Sequence, residues 1–222
     1  MKSKNFINFK NSKFLEFYGI MMGDGCLSQF YANYDKRERK VVVITCNAVK
    51  DYEYVSSYIS SLIKDIYGFT PYIRINKKQN VIIIYITNKY VFYSLQNYDF
   101  PVGKKYQISI PRRMMNLPKK KINHIIRGIF DTDGCISARK DENYLYPHIL
   151  ISSYSQLLRQ QLKEILQEQN FRAYIHDTNV VIKGKANFIK WFKLIGSSNS
   201  RNINKYKEWL ETGKIIPKGL IV

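Results

Sequence analysis

The stretch Phe17-Tyr18-Gly19-Ile20-Met21-Met22-Gly23-Asp24-Gly25-Cys26 returns in altered form as Ile126-Arg127-Gly128-Ile129-Phe130-Asp131-Thr132-Asp133-Gly134-Cys135. Each copy reads as the end of an apolar helix with small residues four apart, then Asp-Gly, then Cys, then a strand. Gly19 and Gly23 share one helix face, as do Gly128 and Thr132, and small side chains at this spacing let two helix backbones approach closely. A glycine inside a helix costs on the order of 1 kcal/mol relative to alanine, so a helix that keeps two needs the space. The natural partner of each copy is the other. These residues are therefore expected to form a packed seam on a pseudo-twofold axis.

Asp24 and Asp133 follow the small pairs, so the crossing should bring them together at the helix C-termini. Two such carboxylates repel each other and also face the negative ends of both helix dipoles. A cation relieves this, and hard oxygen donors select Mg²⁺, with the carbonyls of Gly23 and Thr132 as added ligands. Metal held against a phosphodiester is a hydrolytic arrangement. One Asp-Gly after an apolar run is ordinarily a turn signal. Two copies at equivalent places in a repeat favour chemistry.

Outward from the motif, the order of elements also repeats. The pattern predicts a helix over 12–23 with Ser12 as cap, strands at 26–33 and 40–46, a helix over 49–67 stopped by Gly68, strands at 72–76 and 81–87, and a short helix over 89–96. Residues 97–118, with Pro101, Gly103, Pro111 and Pro118, read as an extended crossing. Then come a helix over 118–132, strands at 135–140 and 146–152, a helix over 155–169, strands at 172–176 and 180–183, and helices over 185–194 and 202–212. The chain is thus α+β, a duplicated αββαββα unit: an N-terminal half at 1–100, a linker at 101–118 and a C-terminal half at 119–222. Residues 1–11 read as a basic arm. Each half should fold as a four-stranded antiparallel sheet with helices on one face and the other face open.

The 222 residues carry 36 Lys and Arg against 17 Asp and Glu, a formal charge of +19. That excess points to a polyanionic partner, and nucleic acid is the commonest. Three cysteines without a C-x-x-C pair argue against a disulfide framework or a zinc site, and for a reducing compartment. The N-terminus lacks a signal-peptide core, and no apolar run is long enough to span a bilayer. An intracellular setting follows, either a prokaryotic cytoplasm, archaea included, or an organelle. His124, His148 and His176 form no metal-spaced pair, and there is no phosphate-cradling G-x-x-x-x-G-K-[ST] loop.

The two motifs resemble the paired signature of the LAGLIDADG homing endonucleases. In the second copy Gly128, Asp131, Asp133 and Gly134 match. In the first, Gly19, Asp24 and Gly25 match, while Met22 stands at the sixth position, where an acidic residue is usual, and Gly23 at the seventh. The repeat extends the resemblance over essentially the whole chain. It implies a monomeric, free-standing, intron-encoded enzyme of the single-chain type, whose two sheets form a saddle on double-stranded DNA. By the same resemblance Mg²⁺ is the cofactor, with Mn²⁺ substituting and Ca²⁺ binding without cleavage, and Asp24 and Asp133 are the catalytic carboxylates. The expected DNA-facing residues are Ser28, Phe30, Ala32, Tyr34, Arg74 and Asn76 in the first half, and Ser137, Arg139, Asp141, Arg172 and Tyr174 in the second. Because these differ between halves, the target should be long and asymmetric. The family's water-organising Gln is absent at 46–47 and 152–153. Lys104 or Lys105 could supply the basic group, with Arg201 a candidate mate. A non-cleaving protein on the same fold, such as an intron RNA maturase or a degenerate endonuclease, is the alternative.

Overall fold

The computed structural model describes residues 8–215; most of the basic arm at 1–11 and the end of the C-terminal tail lie outside them. Asn11 opens the first helix, α1 (Ser12–Gly23), its side chain accepting the Lys13 amide at 2.9 Å. Asn11 caps in place of Ser12 because its backbone is still extended while Ser12 is already helical. Next come β1 (Gly25–Ala32), β2 (Arg37–Asn47), a π-helical turn (Tyr54–Ile59) running into α2 (Ser60–Tyr67), β3 (Tyr72–Asn76), β4 (Val81–Ile86) and α3 (Lys89–Gln96). The second unit has α5 (Lys119–Asp133), β5 (Gly134–Ser137), β6 (His148–Ser152), α6 (Gln156–Glu168), β7 (Ala173–His176), β8 (Asn179–Lys183), α7 (Lys185–Leu194) and α8 (Ser200–Thr212). Between the units, α4 (Arg112–Met115) is a single turn after Pro111.

The strands form two antiparallel sheets of equivalent topology, β1-β2-β4-β3 and β5-β6-β8-β7. This is the duplicated α+β arrangement expected from the repeat. Cross-strand register assigns the faces. Val42, Ile44, Ile82, Ile84 and Ile86 face the helices in the first sheet and are buried. Ile136, Ile149, Ile151, Val180 and Ile182 do so in the second. They pack with Phe14, Phe17, Tyr18, Phe130 and Trp191 into one continuous core. That shared core fixes the two sheets relative to the helix pair between them.

Several boundaries differ from expectation for local reasons. Arg37, Glu38 and Arg39 belong to β2, paired with Ala32, Tyr31 and Phe30, because antiparallel pairing continues almost to the tip of the hairpin. The strand expected from 146 starts at His148, since Pro147 offers no amide to a ladder. The strand expected to reach 140 stops at Ser137, and the chain turns through Lys140–Glu142, with Asn143 and Tyr144 at positive φ. The linker is anchored rather than simply extended. Val102 bridges Leu27, and the Gly103 amide donates to Leu27 O at 2.7 Å. The Gln161 amide group clamps the Ile110 backbone on both sides, at 2.8 and 3.0 Å.

Candidate active site at the end of the helix seam

α1 and α5 cross at the glycines. A Cβ added to Gly19 would overlap the Ile125 carbonyl and lie 3.1 Å from Gly128 Cα, and one added to Gly128 would overlap the Glu16 carbonyl. A turn further on, Gly23 abuts the Thr132 side chain, whose hydroxyl is turned back to Gly128 O and Ile129 O at 3.0 Å each. The small-residue pairs thus set the separation at which both helices end.

At that end lie Asp24, which caps α1, and Asp133, the last residue of α5. Asp133 Oδ2 is 3.3 Å from where a Gly23 Cβ would stand, beside the residue preceding Asp24. Burial pushes the Asp133 carboxyl up to about 7, the Asp24 charge adds to that, and Lys105 opposes it. Burial also raises Asp24, assisted by Asp51. The Cys46 S–H, donated to Asp24 Oδ2 at 3.2 Å, and the Lys105 and Arg201 charges work against the rise. The site is short of positive charge for two ionised carboxylates.

Lys105 supplies part of it. Its Nζ donates to the carbonyls of Met21 and Met22 at 3.1 Å each and to that of Gly23. It therefore caps the negative end of α1. Burial lowers its proton affinity, and the Asp133 and Asp24 charges restore part of it. Gly23 O, expected as a metal ligand, here accepts the lysine. Lys104 is not in the site: it is exposed, with its ammonium 5.6 Å from the Tyr106 ring. Adjacent residues in an extended segment point opposite ways, so only one of the two lysines can face the seam. Arg201 lies 3.5 Å from Asp51, on the Asp24 side.

A cleft of 510 Å³ opens beside Asp133, lined also by Gly23, Lys105, Ser152, Ser153 and Thr178 among others. The open faces of the two sheets flank this end of the seam. Cys26, Ser28 and Phe30 lie on the first, with Arg74, paired with Ile83, and Asn76, paired with Val81. Tyr34 is on the hairpin turn rather than the strand, 85% exposed. Ala32 is buried near the hairpin tip. On the second sheet Ser137 and Tyr174 face outward, with Lys183 over the Tyr174 ring at 5.6 Å. Arg139 and Asp141 fall beyond β5 and pair with each other, Arg139 Nε donating to Asp141 Oδ1 at 2.9 Å. Arg172 stands one residue before β7.

Sequence reasoning missed a buried polar clasp behind the seam. Asp131 is 1% exposed and accepts from Ser197 Oγ, from the Ser198 amide at 2.6 Å and from Asn202 at 3.4 Å. Burial still pushes its carboxyl up to about 7. Glu16 accepts from Tyr58 at 2.7 Å and Ser198 at 2.6 Å and pairs with Arg127 at 3.3 Å. Asn199 caps α8 and reaches Asp51 at 3.0 Å. Residues 197–201 therefore fasten the second half to the first. The signal available in the sequence was the Ser-Ser-Asn-Ser run at 197–200, a helix-capping pattern.

Residues 120–208 match a family described as LAGLIDADG-like domain. Over most of its length the chain has the fold seen in solved LAGLIDADG homing endonucleases. It overlays I-DmoI in complex with DNA and Mn with a TM-score of 0.61 at 19% identity, covering 86% of this chain and 99% of that one. The LAGLIDADG meganuclease I-AabMI bound to uncleaved DNA overlays with a TM-score of 0.58 at 14% identity, covering 91% and 90%. In sequence, the chain is 25% identical over 211 residues to the probable translation initiation factor IF-2 of Methanocaldococcus jannaschii, spanning 91% of this chain but 16% of that protein. Among the described residues no helix is long and apolar enough to cross a membrane.

Proposed function

We propose that this LAGLIDADG protein is a divalent-metal-dependent endonuclease that cuts both strands of double-stranded DNA at a long, asymmetric site. One observation carries the reading: two partly buried carboxylates, one from each half, held at the common end of the seam, where burial and mutual repulsion raise Asp133. The donor set fits a small hard cation. Its candidate ligands are carboxylate and carbonyl oxygens, the nearby Cys46 thiol being turned to Asp24 as a donor. Mg²⁺ takes one or two carboxylates and completes its shell with water and phosphate. Asp24 and Asp133 would hold it, with the Gly23 carbonyl available if Lys105 releases it. Solved structures of this fold hold DNA with Mn and with Ca, which supports use of a divalent cation.

The bound cation would supply charge neutralisation at the phosphate and an acidified water. The chain's own groups do the rest. Asp24 and Asp133 accept protons and orient water, one at each strand. Lys105 sits between helix carbonyls and carboxylates, within reach of charge developing on a scissile phosphate in the cleft. Arg74, Lys183 and the exposed aromatics of the open faces bind the duplex, which makes binding strongly salt-dependent. The halves differ at these positions, so one chain reads unlike half-sites as a monomer in a reducing cell interior. Intron-encoded homing fits this activity.

Binding without cleavage, to DNA or intron RNA, is favoured by one observation: the Lys105 ammonium already occupies the Gly23 carbonyl. A cleavage selection decides between the readings. The protein is incubated with a randomised plasmid library in Mg²⁺ or Ca²⁺, and the ends are sequenced. The nuclease reading predicts one family of sites with short 3′ overhangs in Mg²⁺ and none in Ca²⁺. Retention of a specific sequence without cutting in Mg²⁺ would replace it with the binding reading.

A further inference from the structure

We infer that Cys46 is a positioning residue for the first half's carboxylate, and that it makes the two half-sites chemically unequal. The inference rests on the nuclease reading above. Cys46 Sγ lies 3.2 Å from Asp24 Oδ2, with the thiol buried at 6% exposure. Its place is rigid. Cys46 pairs with Ile82 across the sheet, its neighbour Thr45 donates its amide to Asp24 O at 3.2 Å, and the following Asn47 caps the turn through the Val49 and Lys50 amides at 3.0 and 2.8 Å. The end of β2 is thus bound to the Asp24 backbone while its thiol holds the Asp24 side chain.

The second half has no such contact. Gly25 pairs with Ile44 as Gly134 pairs with Ile151, so Cys46 corresponds to Ser153. The Ser153 hydroxyl accepts the Ser155 amide at 3.2 Å, and Ser153 lines the cleft beside Asp133. Asp133 accepts no hydrogen bond among the described residues, whereas Asp24 is held through one oxygen. Fixing one carboxylate oxygen leaves the other aimed, and a reacting group held within a fraction of an ångström reacts faster than a loose one. The Asp24 half-site is therefore preorganised by its own strand. The Asp133 half-site is completed only when cation and DNA arrive.

Two measurements test this on the full-length protein. The first is infrared spectroscopy of the S–H stretch without DNA or metal. The Cys26 thiol also has partners, Ser28 Oγ at 3.5 Å and Gly103 O at 3.9 Å, so the Cys46 band is assigned by its loss in Cys46→Ser; that band should lie at low frequency in wild type and shift back in Asp24→Asn. A Cys46 band that Asp24→Asn leaves unmoved would overturn the contact. The second is strand-resolved nicking in Mg²⁺ by wild type, Cys46→Val, Cys46→Ser and Asp24→Asn. Cys46→Val fills the volume without a donor and should slow one strand about tenfold, the same strand that Asp24→Asn affects most, with Cys46→Ser restoring most of the rate. Equal slowing of both strands, or none, with active wild type overturns the positioning role alone. A wild type that cuts no strand overturns the nuclease reading and the positioning role with it, while the displaced band would still report the contact.

Discussion

At the sixth place of the motif the first half buries Met22 and the second buries Asp131. Met22 joins the hydrophobic core. Asp131 ties residues 197–202 to the seam through its own hydrogen bonds. One step on, Gly23 and Thr132 meet. At the eighth place the carboxylates are alike, but Asp24 has the Cys46 thiol and Arg201 nearby while Asp133 has the Lys105 charge alone. The comparison separates three jobs. The third position sets the helix spacing in both halves, the sixth is structural in one half only, and the eighth presents charge in both.

The largest effect should fall where the halves are most alike. Gly19→Ala and Gly128→Ala each place a methyl group into the backbone carbonyl of the facing helix. Neither carbonyl can yield without shifting its helix, so each should lose about 4 kcal/mol or fail to fold. Urea denaturation measures this, and a clearly unequal pair would break the pseudo-symmetric seam. Next comes the position where the halves differ. Asp131→Leu leaves the Ser197, Ser198 and Asn202 donors buried without an acceptor and should cost about 3 kcal/mol, against under about 1.5 kcal/mol for Met22→Leu. Similar costs at both would remove the clasp from the account.

A smaller effect tests the charge. Folded Asp133 keeps its proton up to about pH 7, while an unfolded aspartate releases it near pH 4. The folded state therefore binds more protons between those values, and stability falls as pH rises through that window. Asp133→Asn should match wild type near pH 4 and exceed it by on the order of 1–3 kcal/mol at pH 8, after allowing for solvent screening of a part-exposed carboxylate. Thermal melts without divalent cations check this. A difference independent of pH would show that the carboxylate carries no electrostatic strain.

Much of this was legible in the sequence because it rests on short-range rules. Gly19, Gly23, Gly128 and Asp-Gly repeat at fixed spacing, and the β-branched runs around Val42 and Ile82 alternate with helical stripes, so the repeat and the order of elements along the chain could be read from the sequence, while the strand order within each sheet could not. What stayed hidden depends on contacts between distant segments. Lys104 and Lys105 are neighbours in an extended segment, and only the anchoring of the linker at Leu27 and Ile110 decides which one faces the seam. Cys46 is 22 residues from Asp24, and its role as a donor follows from the register of β2. Asp131 read only as a match to the motif, and its structural role stayed hidden because its partners lie 66 to 71 positions further along. Arg139 and Asp141 were expected on a strand that stops short, since their own pairing and the positive-φ residues after them turn the chain away.

On the nuclease reading Asp24 and Asp133 serve one strand each at the cation-dependent end of the helix seam. The direct measurement is the product of Asp24→Asn and Asp133→Asn on a supercoiled plasmid carrying the selected site, in Mg²⁺. Each variant should give nicked circles cut on opposite strands, and the double variant should bind the DNA without cutting. Full linearisation by either single variant, or loss of both cuts in each, would contradict the division of the strands between the two carboxylates.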